Sequence, residues 1–544
     1  MPEKNEIAVV EITDMTEEGA GIGRTGGYPL FIPGAVPGDV LEALITKAGK
    51  SFGYARIRRL ITPSPDRTEP RCPSAGPCGG CQLQALSYEA QLRFKERKVL
   101  RNLQRIGGIA EVPLQPILGT EDPWYYRNKT QLPVGTDKAG LPAAGYYAVH
   151  SHRIVPEPQC CLGDPGDAAI VRRVLDHMQT YGIPSYDEET GRGLVRHLLI
   201  RRAVRTGEIM VCLVVNGRRL PAAPALVSSL REIPGMTDIS LSINRERTNV
   251  ILGTEILPLY GPGYITEDLC GLSFRLSPLS FFQVNPARTE RLYRTAGDLA
   301  GLSGTEHLWD LYCGVGTIGL SLAGRAAFVH GIEIIPAAVD NARENARRNG
   351  ITNADFTCGR AEELFPAMVR EGARADAVIV DPPRRGCGKA LLDALLAAAP
   401  ERLVYISCDS ATLARDLKIL LAGGYTLQTV VPVDMFPQTV HVETVCLLSK
   451  LSGAKHHINV QFDMEELDLT SAESKVTYDE IRDWVREHYG FHVSNLNIAQ
   501  IKQRHGIIER ENYNKPKSPD SRQPGCPEEK AKAIEAALKQ FQMI

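Results

Sequence analysis

The stretch that decides the fold is "HLWDLYCGVGTIGLSLA", residues 307–323. It opens as a buried strand and runs into a turn whose Gly314, Gly316 and Gly319 are spaced G-x-G-x-x-G. A helical apolar pattern follows. In that context the glycines let the backbone approach a ligand at a helix N-terminus. The next strand, "FVHGIEI" (328–334), ends in Glu333, where a carboxylate can accept both ribose hydroxyls. A third strand ends in "VIVDPPRRG" (378–386), with Asp381, Pro382 and Pro383 at its carboxyl end. Dinucleotides and S-adenosylmethionine share this arrangement. Two features favour S-adenosylmethionine. Asp310 stands just before the glycine turn, and Asp-Pro-Pro at that strand end typifies methyltransferases acting on nucleobases. The prolines stiffen the loop so that polar groups can face a flat base.

From about 300 to 450, strands and helices alternate, which implies a parallel sheet with right-handed crossovers. Inside that region "VYISCDSATLARD" (404–416) places Cys408 where a strand runs out into a loop. A buried cysteine is usually a small apolar filler. One at the carboxyl end of a strand faces the crevice where ligands bind.

Towards the N-terminus, residues 5 to about 60 read as five short strands broken by glycine turns, which suits a small barrel of OB type, a common oligonucleotide-binding shape. "SYEAQLRFKERKVLRNLQRI" (87–106) is expected to be a helix capped by Ser87. Its Arg93, Lys95, Arg97, Lys98, Arg101 and Arg105 read either as a solvated surface or as a phosphate-contacting face. Residues 120 to about 270 are expected to be β-rich, with basic segments at 125–129, 196–202 and 216–220.

"RCPSAGPCGGCQ" (71–82) brings Cys72, Cys78 and Cys81 together as C-x5-C-x2-C. "VPEPQCCLG" (155–163) offers Cys160 or Cys161 as a fourth ligand. Four thiolates suit zinc or an iron–sulfur cluster, and the spacing does not separate the two. Thirteen cysteines are many for a reducing compartment, where structural disulfides are rare. Cys212, Cys270, Cys358 and Cys446 read as core, Cys313 as structural, and Cys387 as a candidate to line the site.

The 544 residues suggest three or four domains; 43 % hydrophobic and 23 % charged residues are ordinary for a soluble protein. A net charge of -2 means that any nucleic-acid binding rests on local basic clusters. No apolar run is long enough to span a membrane. The opening "MPEKNEIAVVEI" lacks the apolar core of a signal peptide, so a cytoplasmic protein is expected, with a monomer as the default.

Taken in order, "CPSAGPCGGCQ", "FFQVNP", "DLYCGVGTIGL", "VDPPRRG", "SCDSATLARD" and "MFPQTVHVETVCLL" resemble the RNA uracil-5-methyltransferases, in particular the iron–sulfur bacterial branch that modifies large-subunit (23S) ribosomal RNA. The resemblance covers about residues 5 to 452. It implies an α/β, Rossmann-like methyltransferase sheet over 271–452, a TRAM barrel over 1–62 and a central β-rich iron–sulfur domain over 63–270. Helix 87–106 is placed against the catalytic domain, and 453–544 is left as a partly helical extension. The resemblance also assigns Cys408 as nucleophile and Glu443 as base. Gln283, Tyr312, Glu333 and Asp381 become cofactor-site residues, and Phe281 a support for the target base. Cys72, Cys78, Cys81 and Cys160 become ligands of a [4Fe-4S] cluster. The implied reaction is transfer from S-adenosylmethionine to carbon 5 of a flipped-out uridine, with transfer RNA as the alternative substrate. A thiolate is the reactive form, so the site is expected to lower the pKa of Cys408. One departure stands out: the family has Asn-Pro after the nucleophile, where this chain has Asp409 and Ser410. Asp409 threatens the thiolate if its charge lies close.

Two other classes explain less. A nicotinamide oxidoreductase leaves Asp-Pro-Pro unexplained, and a non-catalytic RNA-binding protein leaves Cys408 and Glu443 without purpose. In the tail, "TYDEIRDWVREHYG" and "SNLNIAQIKQRHG" read as two helices and "NKPKSPDSRQPGCPEEK" as extended, with RNA contact as the expected role.

Overall fold

A computed structural model describes residues 2–149, 151–157, 159–450, 478–504 and 527–540. Two compact units divide at Gly453 and Ala454.

The first unit opens with five strands, β1 (Ile7–Met15), β2 (Ala20–Thr25), β3 (Tyr28–Pro33), β4 (Val40–Ala48) and β5 (Gly53–Thr62). They close into a barrel in the order β1-β2-β3-β5-β4. Alternation drives the closure: Val10, Ile12, Leu30, Ile32, Leu41 and Ile45 all point into one core. The barrel exit is tied down by the buried Asp39, which accepts from the Ser64 N–H at 2.9 Å and pairs with Arg67 at 2.6 Å.

Helix α1 (Tyr88–Arg105) begins where expected, with the Ser87 side chain accepting from the Ala90 N–H. It packs through Val99 and Leu103 on the core of the catalytic sheet. Its basic face is mostly engaged in protein contacts rather than open to phosphate. Lys95 is 0 % exposed, and its Nζ lies 2.5 Å from Asp434. Arg93 pairs with Asp66 at 2.7 Å and Arg101 with Asp14 at 3.0 Å.

A central seven-stranded sheet runs β12-β11-β10-β9-β6-β7-β8. Its members are β6 (Lys129–Thr136), β7 (Pro142–Tyr147), β8 (Ile154–Pro156), β9 (Val195–Arg202), β10 (Ile209–Val215), β11 (Met236–Ile243) and β12 (Glu255–Tyr260). Helices α2 (Asp167–Thr180) and α3 (Ala223–Arg231) share its core. The basic segment 196–202 is β9 itself, buried along most of its length, and not an RNA-facing surface. Arg196 is consumed by the carbonyls of Asn244 and Glu246, and Arg202 by Asp167.

A hairpin, β13 (Ile265–Leu269) and β14 (Leu272–Leu276), and helix α4 (Pro286–Ala300) lead into the catalytic sheet. That sheet comprises β15 (His307–Leu311), β16 (Phe328–Glu333), β17 (Ala354–Cys358), β18 (Ala377–Val380), β19 (Arg402–Ser407), β20 (Tyr425–Val433) and β21 (Glu443–Lys450), in the order β17-β16-β15-β18-β19-β21-β20. The five strands β15 to β19 are parallel, and β21 runs antiparallel between β19 and β20. Helices α5 (Thr317–Leu322), α6 (Pro336–Arg348), α7 (Ala361–Arg370), α8 (Lys389–Ala398) and α9 (Ser410–Ala422) connect them. Strand order reverses beside β15, so the crevice between the ends of β15 and β18 is where such a sheet binds ligands.

Two cysteines depart from expectation. Cys270, in the tight turn of the hairpin, and Cys358, at the end of edge strand β17, are exposed rather than core. Cys212, Cys313 and Cys446 are buried as expected. Cys387 is buried beside Tyr405 and stands outside the cavity wall.

The second unit holds α10 (Tyr478–Tyr489), α11 (Asn495–Arg504) and α12 (Glu528–Gln540) around Ile481, Val485, Ile498, Ile501, Ile534 and Leu538. The first two match the expected helices. Most of the stretch read as extended, with Cys526, lies outside the described residues, and its last residues begin α12 instead. Among the described residues no helix is long and apolar enough to cross a membrane.

Candidate active site

The glycine turn after β15 takes a shape that few side chains permit. Tyr312 has φ +67° and Gly316 φ +82°. At Gly319 a Cβ would meet the Asp310 carboxylate at 2.9 Å. That close approach lets the Gly319 N–H donate to Asp310 Oδ2 at 2.7 Å. Asp310 Oδ1 finds no donor among the described residues. Burial pushes Asp310 up to about 7 against the effect of that N–H, and Glu333 adds to the rise. Glu333, at the end of β16, accepts from the N–H groups of Gly314 at 3.1 Å and Ile335 at 2.9 Å. The Tyr312 hydroxyl donates to Glu362 at 2.8 Å.

These strand ends open into a cavity of about 800 Å³. Gln283, Tyr312, Glu333 and Asp381 line it, and so do Phe281, Cys408 and Glu443. Every residue expected in the cofactor and catalytic sites therefore faces one space. Cys408 follows β19 directly and precedes α9. Asp409 is the N-cap of that helix, accepting from the N–H groups of Ala411 at 2.9 Å and Thr412 at 3.0 Å. Its carboxylate is thus occupied by the helix start, a common use of aspartate there. The departure from Asn-Pro places a helix cap beside the thiol, and its charge lies close enough to add, as the smallest of the named effects, to the rise of the Cys408 thiol, as the sequence warned.

The expected fall in the Cys408 pKa is not what the residues around it produce. Burial pushes the thiol up to about 11, the Glu443 and Asp381 carboxylates add to it, and Arg384 pulls the other way. Glu443 itself is buried and held well above the usual carboxylate range, by burial first and by Asp381 second. Asp381 is raised in the same way, by burial and by Asp310. Two residues that the sequence reading passed over also line the cavity, Arg384 and His441. The signal for Arg384 was its place three residues after Asp381 in "VDPPRRG". His441 is pushed down to about 4 by burial and by Arg384, Lys98 and Lys95, so it offers a neutral imidazole at neutral pH.

Cys72, Cys78, Cys81, Cys160 and Cys161 gather in one loop region, each half-buried, and their thiols feel one another electrostatically. The Cys78 sulfur accepts from the Gly80 N–H and the Cys160 sulfur from the Leu162 N–H, each at 3.4 Å. Gly80, between Cys78 and Cys81, also lines the active-site cavity. Among the described residues no group of three His, Cys, Asp or Glu side chains converges as a single-ion site.

The chain matches known proteins in the same two places. Residues 268–451 match the family model described as tRNA (Uracil-5-)-methyltransferase, and residues 3–57 match the TRAM domain. An uncharacterised RNA methyltransferase of Halalkalibacterium halodurans is 45 % identical over 446 residues, 82 % of this chain and 97 % of that protein. One from Listeria innocua is 44 % identical over 448 residues, with 82 % and 98 % covered. Among solved structures, the chain resembles the Pyrococcus abyssi tRNA (uracil-54, C5)-methyltransferase in complex with S-adenosyl-L-homocysteine. The TM-score is 0.65 at 28 % identity, covering 81 % of this chain and all of that one.

Proposed function

Because the chain belongs to the S-adenosylmethionine-dependent RNA uracil-5-methyltransferases, we propose that it methylates carbon 5 of a uridine in large-subunit (23S) ribosomal RNA through a covalent adduct on Cys408. The observation that carries the reading is the shared cavity. Cys408 and Glu443 stand in it beside the strand-end carboxylates Glu333 and Asp381.

The residues fit the cofactor. Glu333 stands at the strand end suited to ribose hydroxyls, the glycine turn admits close backbone approach, and Asp310 retains an oxygen with no donor among the described residues. S-adenosylmethionine supplies an electrophilic methyl on a sulfonium. Tyr312 and Gln283 border its place, and Asp381 borders both cofactor and base. The Cys408 thiolate adds to carbon 6 of uracil, which makes the ring an enolate with electron density at carbon 5. Carbon 5 takes the methyl, Glu443 removes the carbon-5 proton, and Cys408 leaves by elimination. Covalent addition splits one hard step into easier ones. The base must be unstacked and flipped out to reach the cysteine, and Phe281, 68 % exposed at the cavity, is placed to support it.

The choice of ribosomal RNA rests on the cysteine loop. We assign Cys72, Cys78, Cys81 and Cys160 to a [4Fe-4S] cluster. Backbone N–H groups on two of the sulfurs are the kind of contact that tunes such clusters. The loop would order the cavity rim through Gly80. A second reading, transfer RNA, is favoured by the family model's description and by the Pyrococcus abyssi structure. Incubation with labelled S-adenosylmethionine and either unmethylated large-subunit ribosomal RNA or transfer RNA, followed by nucleoside analysis, separates them. Labelled 5-methyluridine from ribosomal RNA is expected. Label from transfer RNA alone would overturn the substrate choice.

A further inference from the structure

Most cations of the central sheet are matched, and one set is not. On the entry to β6, Arg127 and Lys129 alternate onto the same side, and Lys129 pairs directly across with Arg201 of β9. Arg201 is 2 % exposed. Its Nη2 donates to the Ser280 carbonyl at 2.7 Å, while Nε and Nη1 have no partner among the described residues. Neither Arg127 nor Lys129 has an ion-pair partner among the described residues. Arg202, facing the other way, has Asp167 at 2.7 Å and Asp164 at 3.4 Å. Among the described residues, carboxylates therefore pair with the cation on one side of this strand pair, and no ion pair forms with the three on the other. Burial, then Arg201 and Arg127, push the Lys129 ammonium down to about 8. Three gathered like charges cost stability unless something negative joins them.

The place says what that is. Arg127 and Ser280 both line the active-site cavity, next to the exposed Phe281. The Asn128 side chain donates to the Gln283 carbonyl at 3.2 Å, which fixes the cation strand to the loop carrying Phe281 and Gln283. We infer that Arg127 and Lys129, backed by Arg201, form a phosphate-binding site at the cavity rim that grips a backbone phosphodiester of the RNA beside the flipped nucleotide. The inference rests on RNA being the substrate and adds the point of grip. Arg127, which lines the cavity, makes the direct contact, and Lys129, half-buried beside it on the same strand, adds its charge from just behind the rim. Arg201 is a positioning residue, a buried charge that holds the field in place. Flipping a base swings its flanking phosphates off the helical path, so a fixed cation pair there favours the extruded state.

The test is RNA binding across a potassium chloride series. The probes are in vitro transcribed, hence unmethylated, large-subunit ribosomal RNA and transfer RNA. The proteins are the parent, Lys129→Gln, Arg127→Gln and Lys129→Arg, and S-adenosylhomocysteine affinity is measured in parallel. Loss of one phosphate contact lowers the slope of log affinity against log salt by about 0.7 to 0.9. Both glutamine variants are expected to show that fall, with roughly tenfold weaker RNA binding, unchanged S-adenosylhomocysteine affinity, and recovery in Lys129→Arg. Unchanged RNA affinity and slope in both folded glutamine variants would overturn the site. A loss confined to S-adenosylhomocysteine would overturn it too, giving the cations to the cofactor's carboxylate. A parent that binds and methylates neither RNA would instead remove the reading beneath it.

Discussion

Cys408 sits between opposing fields. Burial and the Glu443 and Asp381 carboxylates favour the thiol, and Arg384 favours the thiolate. With the thiol held at about 11, each pH unit below that value removes about nine-tenths of the remaining thiolate. Glu443 is also raised, and as the proposed base it must be the carboxylate. Both shifts have the same sign, so kcat/KM is expected to climb from about pH 6.5 to about pH 9. A profile flat over that range, measured in single turnovers, would mean that substrate and cofactor already drive Cys408 to its thiolate. On the proposed mechanism, Glu443→Gln removes the base but leaves the nucleophile. Turnover is expected to drop by about 10²- to 10⁴-fold. Because carbon 5 keeps its proton, the thioether cannot eliminate, and a protein–RNA adduct should survive a denaturing gel. The positions of Cys408 and Glu443 were legible from motif order. The field around them was not, because Asp381, Arg384 and Glu443 reach the thiol from different strand ends and loops.

Helix α1 shows what periodicity can and cannot reveal. Its limits and its Ser87 cap follow from local chemistry and were legible. Its packing against the catalytic domain was expected and is seen, but its basic face was misread, because six basic residues on one helix look like a solvated or phosphate-facing surface. The partner that buries Lys95 is Asp434, 339 residues further on, and no local pattern shows it. Asp434 also accepts from the Tyr88 hydroxyl at 2.8 Å, and Lys95 donates to the Phe436 carbonyl at 3.0 Å. Helix α1 thereby anchors the loop that brings Phe436, Thr439 and His441 to the cavity and leads into Glu443. Lys95→Met leaves Asp434 buried and uncompensated, and is expected to lose about 3 to 5 kcal/mol in urea unfolding. Adding Asp434→Leu should recover much of it. A single variant as stable as the parent would show that the pair is not a support. Strand β9 teaches the same lesson. "RHLLIRR" reads as a basic surface, yet the sheet buries it and spends most of its charges on carbonyls and Asp167.

At the scale of the whole molecule, alternation and strand-end chemistry made the catalytic sheet and the barrel legible. The antiparallel insertion of β21 beside β19 was not, since it depends on which edge remains free after five parallel strands have paired. The third helix of the second unit was also missed, hidden behind a proline-rich approach. Relatives match this chain over about 82 % of its length while using 97 to 98 % of their own. Removal of residues 454–544 is therefore expected to leave thermal stability of the first unit and methyl transfer unchanged. A fall in RNA affinity alone would give the second unit a part in holding substrate, and loss of folding would contradict the division at Gly453. The pairing of Lys95 with Asp434 carries a further consequence, for synthesis. A ribosome adding about 5 to 20 residues per second takes roughly 17 to 70 s to make the intervening 339 residues. Through that interval Lys95 has no Asp434, and the apolar side of α1 has no α9. The barrel can close early, but the nascent chain must carry an uncovered amphipathic helix until its catalytic half emerges. That wait is the stage at which a chaperone, or aggregation, has its opportunity.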